Sequence, residues 1–204
     1  DSGHWLNRWA ARTPPDVVLA NSLFTAEPAG KLFRTSPVEV CYLPVAAPTL
    51  DRAAARRDVR AEFGTASDVI VILIVSRIEE LKGHTVLLGA LTHLRDEPRW
   101  ECWIVGGAQR PHETELLANL TFVEALYAGL PVFTSVFGGA AEIVTEACGV
   151  LCEPGNPDPV ATALRDLLTD AGRRSALGAA GPARAAELCD PARQVAALPS
   201  FFQP

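Results

Sequence analysis

The chain contains no methionine. No initiator is visible, and a start at Asp1 without one leads us to expect a fragment or a trimmed product. No apolar run approaches the roughly 18 residues that a bilayer span needs. The longest, Val69 to Val75, is strand-sized. No signal peptide opens the chain. Lys and Arg (18) are outnumbered by Asp and Glu (24), for a net charge of −6. A nucleic-acid binder should carry a basic stripe, so that class is excluded. The common catalytic signatures are missing too. There is no G-x-x-x-x-G-K-S/T loop, no G-x-G-x-x-G after a strand, no G-x-S-x-G elbow, and the 4 histidines form no H-E-x-x-H. ATPase, classical dehydrogenase and serine hydrolase readings fall away. The cysteines number 5, an odd count that reads as reduced and cytoplasmic. Cys148 and Cys152 have no companion ligands nearby, and structural zinc needs four that converge. They read as small buried thiols, and no metal is expected.

What is present is a domain-sized chain of 204 residues, 49% apolar and 21% charged, enough to bury a core. Short apolar strands alternate with helices. Strands are predicted at Asp16–Ser22, Val38–Val45, Val69–Val75, Trp100–Val105, Pro131–Ser135 and Gly149–Cys152. Val69–Val75 is apolar on both faces, as a central parallel strand should be. Helices are predicted at Arg52–Phe63, about Gly83–Arg95, and about Glu113–Ala128. A further one opens at Asp158-Pro159, with an N-cap acid and Pro in the first turn. Ala171–Leu188 reads as helix interrupted near Gly181-Pro182. This alternation predicts an α/β domain with a doubly wound parallel sheet, in which ligands sit at the carboxyl ends of the strands.

The polar residues at those ends are few. Arg77 follows the central strand, and Lys82-Gly83 opens the next helix. Two cations beside a helix N-terminus suit a diphosphate, because backbone N–H groups and the helix dipole add to their charge. Taken alone, such cations are more often simply solvated. Glu124 stands in an apolar run before Gly129-Leu-Pro131. A carboxylate there can accept bonds from two vicinal hydroxyls, as on a ribose, or act as an ordinary surface acid or cap. Gly138-Gly139 follows the next strand and lets a backbone approach a ligand closely, or makes a plain tight turn.

The order of these pieces is more specific than any one of them. Val75-Ser-Arg-Ile-Glu-Glu-Leu-Lys-Gly83, Gly106-Gly107, Phe122-Val-Glu-Ala-Leu-Tyr-Ala-Gly-Leu-Pro-Val132, Gly138-Gly139-x-x-Glu142 and Gly149-Val-Leu occur in that order. The stretch from about Asp16 to Leu188 resembles the family-4, or group 1, glycosyltransferases of GT-B fold, chiefly their C-terminal donor-binding domain. The resemblance implies a retaining transfer of a hexose-type sugar from a UDP-, GDP- or ADP-sugar to a saccharide or lipid-linked acceptor. It implies no cofactor and no metal. It assigns Arg77 and Lys82 to the donor diphosphate, Glu124 to the ribose, and backbone contacts to Leu120, Thr121, Gly138 and Gly139. It implies residues 1–48 as a remnant of the acceptor domain, 49–190 as the Rossmann-like donor domain and 191–204 as a tail. It leaves room for peripheral membrane contact in the intact lineage.

Two departures from the family qualify this. Most of the acceptor domain is absent from the sequence. The family's Glu-x7-Glu motif is also halved: Glu124 is the second acid, the first falls at Leu116, and the usual Phe-Gly falls at Ala118-Asn119. A stretch on the order of 30 residues, about a βαβ unit, is therefore expected to be missing between Gly107 and Thr121. It would have carried two strands, the base-binding loop and a sugar-binding Glu. Little or no transfer is expected from this chain alone, and a non-catalytic remnant that binds nucleoside diphosphate weakly is the alternative. An unrelated Rossmann-like binding module is a third reading. In the order 3-2-1-4-5-6, loss of the third and fourth strands would strip one edge from Val69–Val75. We expect Pro131–Ser135 to move in and pair with it. Of two outcomes for the connecting helix, a break at which Thr121 caps a new start with Glu124 as its capping-box partner, or an unbroken run past Glu124, we expect the second, because Glu115 to Leu120 holds no Gly or Pro.

Overall fold

The computed structural model describes residues 5–76, 82–97, 99–106 and 114–201. Strands and helices alternate as the pattern predicts. β1 (Val18–Ala20), α2 (Leu23–Leu32) and β2 (Val38–Val40) follow a short helix α1 (Trp5–Ala10). Then come α3 (Arg52–Glu62), β3 (Ile70–Val75), α4 (His84–Thr92) and β4 (Trp100–Val105). The remainder is α5 (Thr114–Tyr127), β5 (Val132–Ser135), α6 (Ala140–Ile143), β6 (Gly149–Cys152), α7 (Pro157–Thr169), α8 (Ala171–Cys189) and α9 (Pro191–Phe201). Every strand pair is parallel, as expected of an α/β fold.

The sheet does not close as the sequence led us to expect. Among the described residues the strands form pairs only, β1 with β2, β3 with β4, and β5 with β6. No ladder joins β5 to β3, so the expected closure fails. The packing behind β5 explains why. The carbonyl oxygens of Gly129 and Leu126, at the end of α5, press on Gly178 and Gly181 of α8. A Cβ at those glycines would stand only 2.2 Å and 2.7 Å from the two oxygens. Val123, Leu126, Val132, Val144, Cys148, Ala185 and Cys189 form one buried cluster around this contact. Moving β5 across to β3 would pull that cluster apart. α5 is nevertheless continuous, as expected, so Glu124 lies mid-helix.

A second cluster joins α4 to α7 through Ala90, Leu91, Leu94, Val160, Ala161, Leu164 and Leu168. Leu94 is fully buried and accepts the indole N–H of Trp100 on its carbonyl at 2.9 Å, which ties the end of α4 to β4.

Smaller differences have local causes. β2 stops at Val40 instead of Val45 because Val45 turns its N–H to the Cys189 carbonyl at 2.9 Å. The cap of α7 is Asn156, whose side chain accepts from the Asp158 N–H, so the helix starts one residue before the predicted acid at 158. α8 runs through Gly181-Pro182 without a break. Its glycines are there for close approach to α5, and the packing tolerates the proline. Within 191–204, expected as a tail, Pro191–Phe201 is helical.

Candidate functional site

The unjoined edges of β3 and β5 border a cavity of about 670 Å³. Its walls are apolar where α4, α5 and α7 cover it, through Val86, Phe122, Ala125 and Leu164. Its polar lining includes Asn21, Ser22, Lys82, Thr121, Gly138 and Gly139, together with the charged Glu153 and Arg174. The volume is ordinary for a small-molecule site.

The chain reaches this cavity with open helix ends. The first turn of a helix leaves backbone N–H groups without internal partners. In α3, α7 and α8 the side chains of Asp51, Asn156 and Asp170 accept from them. In α2 the Ser22 hydroxyl takes the Thr25 N–H at 3.2 Å, and the Glu142 carboxylate takes those of Leu23 and Phe24, both at 2.7 Å. α4 and α6 differ: each starts from a glycine and neither has a side-chain cap. Gly83 has φ +72° and Gly138, just before α6, has φ +84°, values that other residues adopt at a cost. Both glycine turns line the cavity. Among the helix starts whose caps are described, those of α4 and α6 lack a side-chain cap and line the cavity, as does the capped start of α2.

Of the residues assigned from the sequence, Lys82, Thr121, Gly138 and Gly139 line this one cavity. Leu120 precedes Thr121 within α5. Glu124 is exposed on α5 and is not part of the cavity wall. Arg77 and Gly107 lie outside the described residues, as do the side chains of Leu116, Ala118 and Asn119.

Sequence reasoning missed three residues near the site. His84 opens α4 beside Lys82-Gly83 and is 8% exposed. Its Nε2 lies 3.3 Å from the Ser76 hydroxyl, which links the end of β3 to the start of α4. Its Nδ1 is buried without a hydrogen-bond partner. The histidine belongs to no motif, and its position after Lys82-Gly83 was the one available signal. Glu142 had been read only as the end of the glycine motif. Besides the α2 amides it accepts the Tyr42 hydroxyl at 2.9 Å. Arg184 donates to the carbonyls of Glu142 and Ile143 at 2.6 and 3.1 Å, holding α6 on α8. Burial, followed by the bond to the Glu142 carboxylate, pushes the Tyr42 phenol up to about 12. The third is Asn21, which joins Ser22 in the cavity wall and shares a hydrogen bond with Thr25 at 2.8 Å.

Comparison with known proteins gives this arrangement a class. The glycosyltransferase from Rickettsia africae superposes with a TM-score of 0.76 at 16% identity, covering 92% of this chain and 62% of that one. Anabaena HepE, in complex with UDP and glucose, gives 0.72 at 19% identity over 96% of this chain and 67% of that one. The fold is that of the GT-B glycosyltransferases. Residues 118–184 match the family described as "Glycosyl transferases group 1". A GDP-mannose-dependent monoacylated alpha-(1-6)-phosphatidylinositol monomannoside mannosyltransferase of Corynebacterium glutamicum is 42% identical over 65 residues, which are 32% of this chain and 17% of that protein. A D-inositol 3-phosphate glycosyltransferase of Xylanimonas cellulosilytica is 30% identical over 176 residues, 65% of this chain and 42% of that protein. The chain therefore spans less than half the length of either relative. Among the described residues no helix is long and apolar enough to cross a membrane.

Proposed function

We propose that this chain is the donor-binding part of a retaining glycosyltransferase that uses a UDP-, GDP- or ADP-sugar. The observation that carries the reading is the pair of uncapped helix starts on one cavity wall, with Lys82 beside the first. The diphosphate sits on the amides of α4, with Lys82 and Arg77 as its cationic partners. Backbone groups of Leu120, Thr121, Gly138 and Gly139 border the donor, while Glu124, exposed on α5 outside the cavity wall, reaches the ribose only if the donor extends beyond that wall. In transfer, charge accumulates on the leaving nucleoside diphosphate as the glycosidic bond breaks. Fixed positive charge and N–H dipoles at that point lower the barrier. A hexose-type sugar then passes to a saccharide or lipid-linked acceptor. That one relative is named for GDP-mannose, and that HepE holds UDP and glucose, supports the donor class. The thiols are free, which fits a cytoplasmic setting.

A second reading has its own support. The gap between β3 and β5 is where a central strand of a doubly wound sheet belongs. The alignment with the Xylanimonas protein runs over more positions than 65% of 204 residues can supply, so that protein carries residues within this span that the present chain lacks. On this reading the chain binds nucleoside diphosphate without transferring sugar. Calorimetric titration with UDP, GDP and ADP, and with the matching nucleosides, tests the site. The diphosphates should bind measurably and the nucleosides should not. Equal affinity of nucleoside and diphosphate would sink the phosphate assignment. Incubation with nucleotide sugars and release of free sugar or product separates the transferring from the merely binding form.

A further inference from the structure

We propose that the Ser76 hydroxyl donates to a phosphoryl oxygen of the donor, and that His84 is the positioning residue that turns it there. This deepens the nucleotide reading of the cavity and rests on it. Ser76 is the first residue after β3, at the carboxyl end of that strand, where ligands of doubly wound sheets bind. It donates its N–H to the Val105 carbonyl at 3.0 Å, which fixes its backbone beside β4. It lines the cavity together with Lys82, Gly83 and Val86, so it stands with the open start of α4.

The direction of the hydroxyl follows from the ring behind it. His84 is the first residue of α4 and is buried. A neutral imidazole has one N–H and one bare nitrogen, and the bonds of the ring decide which nitrogen carries the proton. Nε2 lies 3.3 Å from the Ser76 hydroxyl oxygen, and Nδ1 is buried with no partner among the described residues. A proton on Nδ1 would be a buried N–H without an acceptor. Such orphaned donors are rarer in native proteins than under-satisfied acceptors. The proton therefore sits on Nε2, and the ring donates to Ser76. A hydroxyl that accepts from the ring has its own hydrogen to give elsewhere. Among the described residues no second group takes it. The free hydrogen thus belongs to a side chain in the cavity wall.

The oxygens of an ionised diphosphate only accept. Lys82 offers them N–H donors, and the first amides of α4 offer more. A serine hydroxyl alone both donates and accepts, and rotates to suit its neighbour. With the His84 N–H behind it, Ser76 is held as a donor, which is the polarity an anion requires. His84 does not line the cavity and acts through Ser76.

The tautomer is read first, by nitrogen-15 NMR of the unaltered protein at about pH 8, where an ordinary imidazole is neutral. The expected spectrum shows His84 protonated at Nε2 and bare at Nδ1. The opposite tautomer would overturn the proposal, and this reading needs neither ligand nor variant. Calorimetry then compares the parent, Ser76→Ala, His84→Phe and the double variant, using whichever of UDP, GDP and ADP binds the parent most tightly. Each single change should weaken binding by about tenfold. The double variant should bind no more weakly than Ser76→Ala, because both changes remove one interaction. Losses that add would give His84 a separate structural role and overturn its part. Melting curves check that each variant folds. If His84→Phe does not, the tautomer and Ser76→Ala decide. A parent that binds none of the three diphosphates sinks the nucleotide reading, and this proposal with it. A parent that binds, with Ser76→Ala equally tight, overturns this proposal alone.

Discussion

The Glu142 carboxylate accepts the backbone N–H of Leu23 at 2.7 Å, across 119 positions of sequence. One carboxylate thereby caps α2, whose next amide, Phe24, it takes as well, and fixes that helix to α6. Asn21 and Ser22 are held in the cavity wall by this contact. Glu142→Gln keeps the shape and weakens three charge-assisted bonds. It should lower stability by about 1–3 kcal/mol. The urea midpoint should fall while the slope is unchanged. An unchanged midpoint would show that the contact is incidental.

Tyr42 and Cys189 set an alkaline limit. Their folded values lie at about 12 and about 11, raised chiefly by burial from ordinary values near 10 and 9. A raised value means that the folded state holds the proton more tightly than the unfolded chain does. Their contribution is complete below the unfolded values and is lost as pH rises through the folded ones. Stability should therefore fall between pH 9 and 12, and Tyr42→Phe should flatten the part of that fall between 10 and 12. Denaturation curves recorded at stepped pH will show it. A stability that stays level to pH 12 would contradict the half-buried phenol.

Lys82 stands at an uncapped helix start and belongs to the proposed site. Lys82→Ala should weaken nucleoside diphosphate binding by about tenfold, or ~1.4 kcal/mol. The loss should shrink as salt is raised, because it is electrostatic. The melting temperature should move little. A variant that binds as well as the parent would remove Lys82 from the site.

Gly178 and Gly181 make the α5–α8 contact possible. An added Cβ would lie 2.2 Å from the Gly129 oxygen at the first and 2.7 Å from the Leu126 oxygen at the second. Backbone cannot yield as a side-chain tip can, so Gly178→Ala should cost about 1–3 kcal/mol or more. Gly181→Ala should cost less. Thermal melts of the two variants give the order directly, and a reversed order would show that α8 shifts along its axis.

Much of the local structure was legible in the residues. β4 and β6 fall where their apolar runs predict, and β3 and α5 within a residue or so, because short hydrophobic runs and helical periodicity are properties of neighbours in sequence. The glycine pairs and Lys82-Gly83 could be recognised as turns at strand ends for the same reason. The strand pairing could not. Whether Val132–Ser135 joins Ile70–Val75 depends on a competition between ladder bonds and the packing of α5 on α8, groups far apart in the chain. The close approach at Gly178 and Gly181 won. His84 and Glu142 stayed hidden likewise. Each looks ordinary beside its neighbours, and its part emerges only when folding brings it against Ser76, or against Leu23 and Tyr42. Periodicity and turn chemistry act over a few residues and so can be read along the chain. Which edges meet and which carboxylate caps which helix are set by contacts made across the whole fold.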